Sequence, residues 1–263
     1  QYYYSADSSF VPVIYDRMRR YLHEVWQVDK SGLVIERQGA WSWGDWGEHV
    51  DMGVLTNCWY YLALKAERAF ALQLGRDKDA DEISRMMRSI ERCFDTKFWT
   101  GSAYRSPGYK GETDDSSQAM AVVSGLASKD KYPALTKVLK KEYHASPYME
   151  KYVLEALFQM GEPAFALERM KQRYTRMLDY AEYTTLFEGW GIGAEGFGGG
   201  TINHAWSGGP LTLLSQKVCG IEPTSPGFRT FKISPQLGSL SEASASLETH
   251  SVSYTHLRAH ETV

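Results

Sequence analysis

Two stretches of the chain hold the side chains best suited to chemistry. In GAWSWGDWGEHVD, residues 39–51, Asp45 stands between Trp43 and Trp46, with Glu48 and Asp51 following. In TTLFEGWGIGAEGFGGGTINHAW, residues 184–206, Glu188 stands between Phe187 and Trp190, Glu195 follows, and Asn203-His204 close the segment. Asp114 and Asp115 add two more carboxylates before SSQ. Carboxylates set among aromatic rings suit glycoside chemistry. Bond cleavage there needs one carboxyl as acid and a second as base or nucleophile, and flat rings stack on sugars. Where inversion occurs, the two carboxyls stand roughly 6.5–9.5 Å apart to admit water.

Each group has a plainer role to set beside the chemical one. Glu48 and Asp51 sit where a helix begins and can favour its N-terminal dipole. Asp114 and Asp115 read first as helix caps. Asp45, held between two tryptophans and two glycines, fits neither role. Glu188 lies in a stretch with little helical character, and a carboxylate beside two aromatics is partly desolvated, which favours general-base work. His204 either caps a helix, packs in the core or hydrogen-bonds a substrate; its place after the glycine-rich loop favours the last.

Other chemistries lack their residues. GFGGG at 196–200 has no Lys-Ser/Thr after it and follows no apolar strand, so it is no phosphate loop. No Ser sits in a nucleophile elbow. No His/Cys cluster has zinc spacing, so no metal is expected. Cys58, Cys93 and Cys219 are odd in number and far apart, and form no disulfide framework. Cys58 lies in an apolar helical run and reads as a buried thiol.

The elements that must position these groups are helical. Met52, Leu55, Trp59, Leu62 and Ala66 recur at three and four and predict an apolar stripe on a helix that Gly75 stops. Further helices are expected over 76–94, 116–127, 131–143, 146–161, 162–178 and 203–220, and near the start over 8–26. Ser146-Pro147 reads as an N-cap and first-turn pair. Short loops force antiparallel neighbours, hence hairpins. Beyond Gly220, residues 226–236 and 241–250 alternate like strands. Charged, featureless loops precede one set of helices, while loops rich in Trp, Asp, Glu, Asn and His precede the alternate set. Alternate helices of such an array run parallel, so the rich loops are expected on one face.

The 263 residues are 43% hydrophobic and 23% charged, ordinary for a globular chain. A net charge of -3 carries no footprint for nucleic acid or an anionic membrane, and neither is expected as a partner. Aromatics reach 13%, with 8 Trp and 17 Tyr; composition favours packing for most of them. No repeat of 34 or 40 residues speaks for a solenoid. Residues 252–262, VSYTHLRAHET, resemble a translated sequencing-library adapter. They are set aside as non-native, and His256 and His260 are not read as a metal pair.

GAWSWGDWGEHVD, SPYMEKYVLEALFQMGEPAFALERM, TTLFEGW, INHAWSGG, GIEP and PGFRTFKISPQ, in that order, together resemble the catalytic domain of bacterial α-L-rhamnosidases, glycoside hydrolase family 78. The ordered set carries the resemblance, more than any one motif. It implies a mainly α chain: a partial (α/α)6 six-hairpin barrel over 1–220, the start of a C-terminal β-sandwich over 221–251, and the tail 252–263. It also implies hydrolysis of terminal α-L-rhamnosides with inversion, on a rhamnose-containing carbohydrate substrate, without a redox cofactor. Family members of this kind point to the periplasm or the cell exterior. The general base of the motif Thr-x-Trp-Glu-x-Trp falls on Glu188. Trp190 is its second aromatic, and His204 is the substrate-binding His of Asn203-His204. Asp45 and Trp46, with Trp43 beside them, fall on the sugar-pocket segment.

Two departures stand out. The acid segment of the family, Asp-x-x-x-Arg-x-Glu-Arg in type, has no match upstream of Gly-Asp-Trp; YDRMRRYLHE, residues 15–24, does not fit. These residues are therefore expected to be a fragment that is inactive alone. Phe187 stands where the family usually has Trp, and relatives with the same barrel act on other sugars. The other reading kept open is a non-catalytic carbohydrate-binding helical toroid.

Overall fold

The computed structural model describes residues 2–35, 42–180, 182–192 and 200–249, and the backbone of 255–260. The helices are α1 (Tyr2–Ser5), α2 (Val11–Arg20), α3 (Met52–Gln73), α4 (Asp77–Phe98), α5 (Asp115–Ser124), α6 (Tyr132–Lys141), α7 (Pro147–Gln159), α8 (Pro163–Leu178) and α9 (Leu211–Leu213). Four short strands follow: β1 (Ile221–Pro223), β2 (Phe231–Ile233), β3 (Glu242–Leu247) and β4 (Thr255–His260). The chain forms two compact units. One runs from Ser9 to His144; the other joins the residues up to Ser8 with those from Ala145 onward. Among the described residues no helix is long and apolar enough to cross a membrane.

In the first unit α3 is the central helix, packed against α2, α4 and α5. Asp51 caps it, accepting a hydrogen bond from the Val54 amide. Gly75 ends it with φ +68°, a conformation that costs glycine nothing. The buried face differs from the expected stripe. Val54, Leu55, Cys58, Tyr61, Leu64 and Ala71 are buried, whereas Met52, Trp59 and Leu62 are half-buried and Ala66 is exposed. Neighbours on several sides widen and rotate the buried arc, and it takes in the polar Asn57 and Glu67. Glu67 is fully buried and held by Arg19 at 3.1 Å and His23 at 2.9 Å. α4 carries Asp77 and Asp79 in its first turn and Lys97 in its last, the polarity that its dipole favours. α5 is buried along almost its whole length, as its small and apolar residues allow.

In the second unit α7 and α8 form a hairpin across Met160–Glu162, with Pro147 and Pro163 each in a first turn. Ser146 holds the N-cap position of α7 without a capping side-chain bond. A buried ion pair crosses the hairpin: Arg169 meets Glu150 through Nε–Oε1 at 2.7 Å and Nη2–Oε2 at 2.9 Å. The single helix expected over 203–220 is instead three short pieces: a 3-10 turn at Ala205–Gly208, α9, and a π turn at Leu214–Val218. Gly208-Gly209-Pro210 explains the break, since glycine costs helix and proline cannot donate into one.

β1 and β2 pair antiparallel with Ile221 opposite Ile233 and Glu222 opposite Lys232. Gly220 precedes β1 at φ +73°, and a Cβ there would run into the backbone of Ser234. β3 pairs antiparallel with β4, which lies within the segment read as a non-native tail.

Candidate active site

The residues singled out by chemistry fall into two groups, each built within its own unit. Trp43, Asp45 and Trp46 belong to the first. Glu188, Trp190, Asn203 and His204 belong to the second.

In the first unit the stretches before α3 and α5 are laced together by buried carboxylates. Asp45 is 7% exposed. It accepts from the Trp46 amide at 2.8 Å and the Ser116 hydroxyl at 3.4 Å. The Trp43 and Trp46 rings meet edge to face with centroids 5.6 Å apart. Gly44 lets this turn lie against α3, where a Cβ would press on Leu55 and Met52. Asp51 accepts from the Ser106 amide at 2.6 Å and from the Ser106 hydroxyl. Asp114 caps α5 through the Ser117 amide at 2.6 Å. Its other oxygen accepts from the Asp51 amide at 3.2 Å. Burial pushes the Asp114 carboxyl up to about 7, against the opposing pull of the Ser117 hydrogen bonds. Asp115, also buried, accepts from the His144 amide at 3.1 Å. Asp114 thus has the capping role the sequence suggested. Asp51 caps the helix start where the sequence suggested only a dipole role, and Glu48 is exposed. Asp45 has no capping role.

In the second unit the two ends of the glycine-rich stretch are tied to each other. The Glu188 amide donates to Thr201 at 3.0 Å and the His204 amide to Leu186 at 2.9 Å. Phe187 is fully buried, which anchors the half-buried Glu188 beside it. The Thr201 hydroxyl donates to the Glu188 carboxylate at 3.0 Å, and Trp206 Nε1 donates to the Glu188 carbonyl at 3.1 Å. His204 stacks on Trp206 at 4.0 Å between centroids, and Tyr148 packs on the same indole at 5.3 Å. Asn203 is exposed. Trp190 donates from Nε1 to the Ala145 carbonyl at 2.7 Å. Glu195 lies outside the described residues.

Sequence reasoning missed what stands behind Trp190. The Arg173 guanidinium lies 4.0 Å from the centre of its ring and also donates to the Ala145 carbonyl. Glu150 Oε2 is 3.6 Å from Arg173 Nε, so the buried Glu150–Arg169 pair backs the stack. The available signal was Glu150 itself, a charge on the same helix face as the buried Val153, Leu154 and Leu157. Also missed was a meeting of His49, Glu112 and His144, each with a ligating atom within 4.8 Å of the others. Local spacing cannot show residues brought together from three separate loops.

Comparison with known proteins gives a family match and a shared fold. Residues 1–218 match the family model described as bacterial alpha-L-rhamnosidase 6 hairpin glycosidase domain. The GH78 family rhamnosidase of Bacillus sp. GL1 is 21% identical with TM-score 0.80, over 97% of this chain and 29% of its own. The alpha-L-rhamnosidase from Dictyoglumus thermophilum is 20% identical with TM-score 0.81, over 99% and 31%. A rhamnosidase from Klebsiella oxytoca, solved with rhamnose bound, is 20% identical with TM-score 0.69, over 80% and 43%. At these identities the likeness shows the fold: an alpha/alpha barrel followed by the start of a β region. The chain spans less than a third of the Bacillus and Dictyoglumus proteins. No significant match was found among curated protein sequences.

Proposed function

The chain belongs to the bacterial alpha-L-rhamnosidase six-hairpin glycosidase family, and from that premise we propose that it supplies the general base and part of the sugar pocket of an inverting α-L-rhamnosidase. Glu188 is the base. It takes a proton from water as the water oxygen attacks the anomeric carbon, while the bond to the leaving oxygen breaks. A carboxylic acid from a segment outside these residues protonates that oxygen. In the second unit Trp190, Asn203 and His204 are sugar-binding residues, by stacking and by hydrogen bonds; in the first unit Trp43, Asp45 and Trp46 carry the same role on the resemblance of their own segment.

The observation that carries the reading is how Glu188 is held. Its amide, its carbonyl and its carboxylate each have a partner, in Thr201, Trp206 and Thr201 again. A base must be aimed at one water, and a residue whose backbone is held at both ends and whose carboxylate accepts one hydroxyl keeps its aim. The test is Glu188→Gln in the full-length protein that carries this chain, assayed on an aryl α-L-rhamnoside. Turnover is expected to fall about 10²–10⁴-fold; unchanged turnover would overturn the assignment.

A further inference from the structure

Three side chains that the sugar chemistry leaves unused meet in the first unit. His49 comes from the stretch leading into α3, Glu112 from the loop before α5, and His144 from the segment after α6. One ligating atom of each lies within 4.8 Å of the other two. The imidazole rings meet edge to face with centroids 4.8 Å apart. His144 Nε2 stands 3.5 Å from Glu112 and 3.3 Å from Glu142. Two imidazoles with two carboxylates form a mixed nitrogen and oxygen set.

We propose that His49, Glu112 and His144, with Glu142 completing the set, bind one divalent transition metal of the zinc class. The donors decide the class. Imidazole suits zinc and its neighbours, which take three or four N and O ligands. Calcium and magnesium want six or more oxygens, and this cluster does not offer them. The size fits after a small closure. Ligand atoms on a tetrahedral zinc with bonds of about 2.0–2.1 Å stand roughly 3.3 Å apart, so the longest span must shorten by about 1.5 Å. Glu112 already lies 3.5 Å from His144 Nε2, so the closure falls on the spans to His49; the half-buried His49 ring and the Glu112 side chain, 67% exposed, are the groups that move. His49 Nδ1 now accepts the Glu112 amide at 3.0 Å. Coordination through Nδ1 replaces that hydrogen bond with a metal bond.

The site would clip three chain segments together. His49 lies two residues before the Asp51 cap and Glu112 two before the Asp114 cap. Metal bound here would therefore stabilise the starts of α3 and α5, as any ligand that binds only the folded state stabilises it. This inference stands apart from the rhamnosidase reading and concerns the first unit alone.

The experiment is calorimetric titration of the chelator-washed chain with zinc chloride near neutral pH, with thermal melting in parallel. Calcium chloride serves as the control metal. One saturable zinc site and a raised melting temperature are expected, with no response to calcium. H49Q and H144Q should each weaken zinc at least about tenfold. Because His256 and His260 could also take metal, H256Q/H260Q is titrated too and should retain the site. Circular dichroism of the metal-free variants checks folding; should either histidine variant fail to fold, the exposed-site E112Q replaces it and should weaken zinc likewise. No saturable binding, equal affinity in the folded site variants, or loss only in H256Q/H260Q would overturn the proposal.

Discussion

The Asp51 amide donates to the Asp114 carboxylate at 3.2 Å, and each of these aspartates caps its own helix. The Ser117 hydroxyl closes the loop by donating to the Asp51 carbonyl at 3.2 Å. Two helix starts, far apart in sequence, are thereby fixed as one unit. The arrangement buries an acidic group, and that has a pH consequence.

Burial holds the Asp114 carboxyl up at about 7, above its unfolded value near 3.8. The folded chain therefore binds this proton more tightly than the unfolded chain. The contribution to stability is fully present below about pH 4 and is lost as pH rises through about 7. Asp114→Asn keeps a carbonyl for the Ser117 amide but cannot ionise. Urea denaturation with chelator present, at about pH 5 and pH 8, should show the variant gaining on the wild type at the higher pH. A constant difference between the two would refute the shifted carboxyl.

The Glu150–Arg169 pair has both side chains fully buried. Removing one partner strands the other charge without water, a loss of about 3–5 kcal/mol. Glu150→Gln and Arg169→Met should each cost that much in chemical denaturation. The double variant E150Q/R169M should cost clearly less than the sum, because neither member of the buried pair is left facing an absent partner, and Arg173 keeps its hydrogen bond to the Ala145 carbonyl. Additive losses would show that the two side chains do not act as a pair.

Arg173 stacks on Trp190, and both donate to the Ala145 carbonyl. If Trp190 holds the sugar, Arg173 is a positioning residue for it. Lysine keeps the charge but loses the planar fork. A cation–π contact is worth about 0.5–2 kcal/mol, so Arg173→Lys in the full-length protein should raise KM about two- to thirtyfold. kcat should stay near its wild-type value, since a platform used equally in ground and transition states acts through binding. A fall in kcat with KM unmoved would remove Arg173 from this role.

The sequence displayed its hairpins because periodicity and stop signals are local. Gly75, Pro147 and Pro163 lie where helices end or begin. It displayed the cap at Asp114, and the acidic helix start at Asp51, for the same reason. The buried face of α3 was misjudged because a helix with neighbours on several sides has no single stripe, and Glu67 inside it needs Arg19 and His23 from another helix. The break at Gly208-Gly209-Pro210 was legible and was overruled by the apolar run after it. Arg173 and the His49–Glu112–His144 cluster were not legible, since each depends on contacts between segments remote in sequence.

The water-activating role proposed for Glu188 predicts a stereochemical outcome. A base that delivers water from the face opposite the leaving group inverts the anomeric carbon. The full-length protein acting on an aryl α-L-rhamnoside should therefore release β-L-rhamnose first, with the α anomer growing only as the sugar mutarotates. Proton NMR of the anomeric region in the first minutes distinguishes the two. Thr201 donates to the Glu188 carboxylate at 3.0 Å, and hydrogen bonds to charged groups are worth about 1.5–3 kcal/mol. Thr201→Val should therefore slow the reaction about tenfold or more without changing the anomer released. An α anomer as the first product would mean that Glu188 attacks carbon directly, and the water-activating role would fall even if Glu188→Gln were inactive.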